Sequence, residues 1–318
     1  MRVGIIGTNF GRQLMAPAFE GAGFDVVEVV SPRDDAACDA LMRSRVDIVS
    51  VHSPPFLHLR HVERALEAGK AVLCDKPFGI NAHEAKTMTR MAREAGSLNV
   101  VNFEFRFAAI RQELKAIIDH GAIGTPEQLL WHNFSSQARH PVRPFSWMYD
   151  RSLGGGWLRA WGAHAIDTVT WLFGPVVARD SRFFRSIPVR EDRHGVSHTV
   201  TAEDGFAFRL AAKSGVHVDV TSSSSSSVSQ AEAMIVMGSE GVVRLSNDLT
   251  LEIFHPGQQV RRFEEFDAQV VPSALQRFAT ELRSALETDT PMEPSFRAGA
   301  ACAEILDELT TRGFAELG

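Results

Sequence analysis

The chain has no apolar run near the roughly 20 residues that a membrane-spanning helix needs, so a bilayer protein is not expected. Cysteine is scarce: Cys38, Cys74 and Cys302 stand far apart, without metal-ligand spacing. That excludes a disulfide framework and a clustered-cysteine zinc site, and suits reduced thiols in a cytoplasmic protein. Tyr149 is the only tyrosine, and four residues after it comes Leu153, where a short-chain dehydrogenase needs lysine. Positive charge is also in deficit, with a net charge of −6, so neither nucleic acid nor an anionic membrane is the expected partner. An anionic cofactor is still compatible, because it needs only a local cradle of backbone donors. The strand-like run Arg2–Ile6 opens the chain and leaves no room for a signal peptide, which again makes the cytoplasm the expected location.

What is present is ordinary for a globular protein: 44% hydrophobic and 23% charged residues over 318, a length that suits two domains. The first third alternates strand patterns with helical ones. Strands are expected at Val3–Ile6, Asp25–Val30, Asp47–His52, Ala71–Cys74 and Leu98–Phe103. Helices are expected at Arg12–Glu20, Asp35–Arg43, Leu57–Ala68, Ala82–Ala95 and Ala108–His120. Gly69, Gly96 and Gly121 follow three of them as left-handed caps. Such alternation, with mostly apolar strands, predicts a doubly wound parallel sheet of Rossmann type.

After Gly124-Thr125-Pro126 the rhythm changes. A helix is expected over Leu158–Phe173, then strands at Phe206–Ala211, His217–Thr221, Ala233–Val236, Val242–Leu245, Leu249–Phe254 and Arg262–Phe266. Two helices, Ala274–Glu287 and Gly299–Arg312, close the pattern. The expectation is an α/β chain: a Rossmann domain over residues 1–120, then an α+β domain with a large, mostly antiparallel sheet over residues 121–318. The serine run Ser222–Ser227 falls in a strand pattern and reads as an exposed strand or the loop leaving it.

The first strand runs into Gly7-Thr8-Asn9-Phe10-Gly11-Arg12 and then a helix. Glycines there permit a tight turn and let the backbone approach a pyrophosphate, while the helix start supplies free N–H groups. All six residues are candidate cofactor contacts. Asn9 replaces the usual second glycine, and asparagine is the non-glycine best suited to positive φ. About twenty residues on, where an acidic residue normally holds the NAD ribose, stand Ser31, Pro32 and Arg33. A hydroxyl and a guanidinium would bind a 2′-phosphate, which favours NADP(H). NAD(H) is the alternative, with Arg33 solvated and Asp34 or Asp35 taking the acidic role.

Two further stretches, Ser53-Pro54-Pro55-Phe56-Leu57-His58 and Ala71-Val72-Leu73-Cys74-Asp75-Lys76-Pro77, resemble the glucose–fructose oxidoreductase/inositol dehydrogenase (Gfo/Idh/MocA) family. That family ends its fourth strand on Glu-Lys-Pro, where this chain has Asp75-Lys76-Pro77. Gly154-Gly155-Gly156, Gly162-Ala163-His164 and Asp167 look like the family's G-G-G…G-x-H-x-x-D helix. The resemblance runs over essentially the whole chain. It implies a nicotinamide-dependent oxidoreductase of a sugar, polyol or other cyclic alcohol or ketone, working as a dimer or tetramer. It also implies cofactor contacts at Ser53, Pro54, His58, Lys76 and Asn102, and substrate contacts at Lys76, Arg106 and His164.

Lys76 has a chemical reason to be there. A carbonyl accepting hydride develops oxyanion character, which an ammonium neutralises by charge and proton donation. His164 is the second catalytic candidate. The family often has an Asp one turn before it, and here that residue is Ala160; Asp167 is the nearby alternative. All five tryptophans fall between Trp131 and Trp171, and Trp147 and Trp161 are candidates for an aromatic wall against the substrate, with core packing as the alternative. His52, His58 and His61 have no carboxylate or cysteine at ligand spacing, so no metal is expected. Two other readings stay open: a non-catalytic NADP-binding regulator, and an enzyme that retains its cofactor for redox-assisted glycoside cleavage.

Overall fold

The computed structural model describes residues 1–264 and 269–314. The chain falls into two compact units, Met1–Phe107 with Val271–Glu304, and Ala108–Val270 with Ile305–Gly318. The units therefore interleave along the chain, in place of the single division at residue 120 expected from the sequence.

The first unit is built on five parallel strands: β1 (Arg2–Ile6), β2 (Asp25–Val30), β3 (Ile48–Val51), β4 (Ala71–Cys74) and β5 (Asn99–Val101). Between them run α1 (Ala16–Gly21), entered through a wide helical turn Gly11–Met15, then α2 (Asp35–Arg43), α3 (His58–Glu67) and α4 (Ala82–Ala95). Every residue of β3 is buried, as a strand covered on both faces must be. Side chains cap the helices where the sequence provides them. Asp34 accepts from the Ala37 N–H and Asn81 from the Glu84 N–H. The expected left-handed glycines follow, Gly69 at φ 68° and Gly96 at φ 60°. Strand order is β2-β1-β3-β4-β5, so the chain leaves β1 for one side and resumes at β3 on the other. Ligands of such sheets bind outside the carboxyl ends of the strands at this reversal. It falls between Gly7 and His52.

The second unit holds α5 (Ala109–Asp119), β6 (Pro126–Phe134) and α6 (Ala163–Phe173), with the turn Leu158–Gly162 leading into α6. Then come β7 (Val176–Phe184), the short pair β8 (Val189–Glu191) and β9 (Ser197–Thr199), β10 (Gly205–Ala212) and β11 (His217–Ser223). They are followed by β12 (Ala233–Gly238), β13 (Val242–Ser246), β14 (Thr250–Phe254) and β15 (Arg261–Glu264). Eight strands form one sheet, in the order β15-β14-β13-β12-β6-β11-β10-β7. Among the described residues of this sheet, only β6 and β11 pair in parallel. The sheet thus matches the expected mostly antiparallel class. Its two nine-residue strands, β6 and β7, are additions to the sequence reading. Of the expected strand Arg262–Phe266, the last two residues lie outside the described ones. Two helices close the chain, α7 (Val270–Thr288) and α8 (Phe296–Phe314). Among the described residues no helix is long and apolar enough to cross a membrane.

The serine run ends β11 and forms the loop leaving it, as one of the two expectations had it, but only Ser227 of the run is fully exposed. Ser222 and Ser225 are buried, and their hydroxyls are engaged. Ser222 Oγ donates to the Asn133 carbonyl at 2.8 Å and receives the Trp157 indole N–H at 2.8 Å. Small polar side chains satisfy backbone groups in a tight loop, where larger ones would not fit.

Candidate functional site

In the first unit the glycine loop is shaped by its neighbours. Gly7 has φ 148°, and a Cβ there would lie 2.7 Å from the His52 carbonyl oxygen. Gly11 has ordinary backbone angles, but a Cβ would lie 2.8 Å from Ile5 Cγ2, so glycine lets the helix sit on the strand. Asn9 corrects an expectation. Among the described residues the non-glycine positive φ values belong to Asn247, Asp248 and Asp289, so Asn9 is not chosen for a left-handed turn. Thr8, Asn9 and Arg12 are exposed and Phe10 half-buried, which leaves the loop's outer side open.

Beside the loop, the ends of β3 and β4 bring together a group that the sequence did not announce. Ser50 Oγ lies 2.7 Å from His52 Nε2, and His52 Nδ1 lies 3.2 Å from Asp75 Oδ2. The other Asp75 oxygen accepts the Lys76 backbone N–H at 2.8 Å and the Asn102 side-chain N–H at 3.4 Å. Burial pushes the Asp75 carboxyl up. The His52 hydrogen bond and nearby positive charge outweigh it, so Asp75 ends below the usual carboxylate range. Asn102 is wholly buried, and its Oδ1 has no hydrogen-bond partner among the described residues. Because its amide N–H points at a carboxylate, that orphan must be the oxygen.

His58 and His61 turn out to be posts for the Ser53-Pro54 turn. His58 Nε2–H donates to the Ser53 carbonyl at 2.7 Å, and His61 Nδ1 meets Ser53 Oγ at 3.0 Å. Burial holds each ring down to about 4, hence neutral. Among the described residues no group of three or more His, Cys, Asp or Glu is placed to hold a metal.

At the end of β2, Asp34 is occupied as the α2 cap at 3.0 Å and Asp35 is paired with Arg60 at 2.8 Å. Each thus has one carboxylate oxygen engaged. Arg12 Nη2 donates to the Val29 carbonyl at 3.0 Å, which brings a second guanidinium toward Ser31 and Arg33.

In the second unit, the triple glycine has a steric cause. Gly154 is left-handed at φ 76°; a Cβ on Gly155 would lie 2.3 Å from the Trp147 carbonyl oxygen. A Cβ on Gly156, at φ 117°, would lie 2.3 Å from Glu203 Oε1. That carboxyl accepts the Leu158 N–H at 2.9 Å, capping the helical run that carries His164. Burial raises Glu203 to about 7. His164 and Asp167 are buried on α6. Trp161 is a core residue, with its ring 5.1 Å from Trp131 and 6.1 Å from Phe206, so core packing overtakes its expected role as a substrate wall. Trp147, Arg106 and Lys76 are half-buried.

Known proteins resemble the chain on both sides. Residues 1–103 match the family described as "Oxidoreductase family, NAD-binding Rossmann fold", and residues 111–244 match the "GFO/IDH/MocA C-terminal domain". An uncharacterized oxidoreductase of Synechocystis sp. is 26% identical over 274 residues, 80% of this chain and 74% of that protein. The D-apiose dehydrogenase of Paraburkholderia graminis is 30% identical over 230 residues, 70% of this chain and 56% of that one. Among solved structures, levoglucosan dehydrogenase in complex with NADH and levoglucosan superposes with a TM-score of 0.89 at 19% identity. That match covers 99% of this chain and 98% of the other, and at such identity it speaks for the fold. With a Rossmann unit and a second unit each matched in turn, the chain belongs to the Gfo/Idh/MocA family of oxidoreductases.

Proposed function

We propose that this protein is an NADP(H)-preferring dehydrogenase or reductase of a sugar, polyol or related cyclic alcohol or ketone, with Lys76 and His164 as its proton-handling residues. The observation that carries the reading is the pairing of an open glycine loop with Lys76 at the carboxyl end of β4. The fit to a dinucleotide rests on the tight turn that Gly7 and Gly11 allow against His52 and Ile5, on the exposed Thr8, Asn9 and Arg12 on its outer side, and on the buried Asn102 oxygen that has no partner among the described residues. Gly7, Thr8, Asn9, Phe10, Gly11 and Arg12 would hold the pyrophosphate, and Ser53 and Pro54 the turn next to it. The first unit then serves the cofactor, and the second the substrate and assembly.

A bound nicotinamide supplies or accepts the hydride. The chain's part is to hold the substrate oxygen and move its proton. The Lys76 ammonium donates to that oxygen as a carbonyl is reduced, and takes the proton back on oxidation. His164 handles the proton on the second unit, and Arg106 and Trp147 contact the ring. Half-exposed apolar side chains on the outer sheet face, Leu130, Ile235 and Met237 among them, support a homo-oligomer. Sedimentation at micromolar concentration should give a dimer or tetramer, and a persistent monomer removes that element. Three buried, unbridged cysteines support a reducing, cytoplasmic setting.

The cofactor preference follows from Ser31, Arg33 and Arg12, with Asp34 and Asp35 both engaged elsewhere. One charge-assisted contact to a 2′-phosphate, roughly 1.5–3 kcal/mol, gives NADP(H) a ten- to hundredfold tighter Kd. Calorimetric titration of both cofactors checks this, and Arg33→Ala should erase most of the gap without weakening NAD(H). Equal affinities in the parent protein would overturn the preference. A panel of sugars, polyols and cyclic ketones, followed by nicotinamide absorbance, tests the activity. Turnover without net cofactor consumption would favour redox-assisted glycoside cleavage, and binding without any turnover a regulator.

A further inference from the structure

We infer that His52 is a positioning residue for Lys76: anchored by Ser50, it orients Asp75, and Asp75 in turn fixes the start of the Lys76-Pro77 segment. The inference rests on the reading of Lys76 as the catalytic acid and base. Its geometry does not. β3 and β4 run in parallel with Val51 opposite Cys74, so His52 and Asp75, one residue further on each, are side by side. Ser50 is two residues before His52 and on the same face, which is what a period of two requires. The imidazole bridges them, with Ser50 at 2.7 Å on Nε2 and Asp75 at 3.2 Å on Nδ1.

The donors can be assigned. Asp75 is an ionised acceptor, so Nδ1 carries the hydrogen; in the neutral ring Nε2 accepts from the Ser50 hydroxyl. Ser50 and Asn102 are wholly buried, and His52 between Ser50 and Asp75 is nearly so. The serine is therefore an anchor, not a nucleophile open to substrate. The carboxylate is held on both oxygens: His52 on Oδ2, and the Lys76 N–H and Asn102 on Oδ1. A carboxylate fixed on one side only would swing about its Cβ, and the Lys76 backbone would lose a fixed acceptor. The titratable groups acting on the pair are Lys76, next in the chain, and His58 from α3.

Removing the imidazole should thus lower kcat and leave cofactor binding alone. For His52→Leu we expect a drop in kcat of about ten- to a hundredfold, little change in the Kd for NADP(H), and an acid limb of the kcat–pH profile moved to higher pH. The shift arises because Asp75 loses the hydrogen bond that opposes its burial. His52→Asn keeps an N–H where Nδ1 was and should recover most of the loss. A readout free of turnover is the ¹⁵N spectrum of the histidines in the protein alone, which should show His52 protonated at Nδ1 and perturbed by Ser50→Ala. Asp75→Asn, which keeps the packing, must reproduce the His52→Leu loss. If Asp75→Asn and the folded His52 variants all retain the parent kcat and profile, while Lys76→Ala is inactive, the positioning role falls and the catalytic reading stands. If Lys76→Ala is itself active, both fall. Where His52→Leu does not fold, Asp75→Asn decides alone.

Discussion

Lys76→Ala is expected to lose about 10²–10⁴-fold in kcat while its affinity for NADP(H) stays within a few fold. The expectation comes from what each part of the site is built of. The dinucleotide contacts proposed above lie mainly in the loop after β1, at the end of β2 and in the Ser53-Pro54 turn, away from the proton transfer assigned to the Lys76 ammonium. The hydride step, by contrast, places charge on a substrate oxygen, and only a group that can neutralise it there lowers the barrier. A loss of that size corresponds to about 3–5 kcal/mol of transition-state stabilisation. Lys76→Arg keeps the charge but is a far weaker proton donor, so it should recover binding of substrate more than turnover. The measurement is kcat and KM for parent and both variants with a substrate from the panel, beside cofactor titrations. A Lys76→Ala enzyme with most of its kcat would move the proton-transfer role elsewhere on the chain.

Legibility in the sequence differed with the kind of signal. The Rossmann strands were plain because β1 to β4 are short apolar runs closed by turn residues, and the ends of α3 and α4 carry glycine in the left-handed conformation. β6 and β7 were missed because they are amphipathic, with polar or charged residues between the buried ones: in β6 the buried Leu129 and Trp131 alternate with Gln128, Leu130 and His132, and in β7 Arg179 and Arg182 are exposed. β6 also opens on a proline, a residue that argues against a strand interior. The return of residues 271–304 to the first unit is a long-range packing fact with no local signature. The motif residues Gly7, Lys76 and His164 were visible through spacing and resemblance. The Ser50–His52–Asp75 chain was not, because its members belong to two strands whose register only the folded sheet supplies. The available signal was weak: a serine and a histidine two apart at the end of one strand, and an aspartate at the end of the next. Glu203 gave none, since its partner is the Gly156 backbone corner 47 residues earlier in the chain, and burial rather than sequence context makes its carboxyl unusual.

Arg111→Met should destabilise the second unit by about 3–5 kcal/mol at pH 8, the usual cost of leaving buried charge without its partner, and by clearly less at pH 5. Arg111, on α5, is almost wholly buried. It grips Asp248 with two hydrogen bonds of 2.9 Å each, reaches Thr168 on α6 at 3.2 Å, and lies 3.7 Å from Glu232. Glu232 also accepts the Trp131 indole N–H at 2.8 Å. One cation thus fastens two helices to the sheet's β6 and the approaches to β12 and β14. Burial raises the Glu232 carboxyl from 4.5 to about 7, although Arg111 pulls it down. A carboxyl with a raised folded pKa binds a proton that the unfolded chain has already released. Its stabilising contribution is therefore complete below about 4.5 and is lost as pH rises through about 7. Glu203, raised to about 7 as well, acts in the same direction. The parent protein should accordingly lose stability between pH 5 and pH 8, by up to roughly 3 kcal/mol for each group. In Arg111→Met the two effects meet. At pH 8 the half-buried Glu232 is an anion that has lost its cation, whereas at pH 5 it is neutral and that part of the cost is absent. Urea unfolding of parent, Arg111→Met and Glu232→Gln at the two pH values measures this. Glu232→Gln should flatten the parent's pH dependence, and Arg111→Met should steepen it. If the cost of Arg111→Met is the same at both pH values, or below about 1 kcal/mol, the guanidinium is not what holds these helices to the sheet.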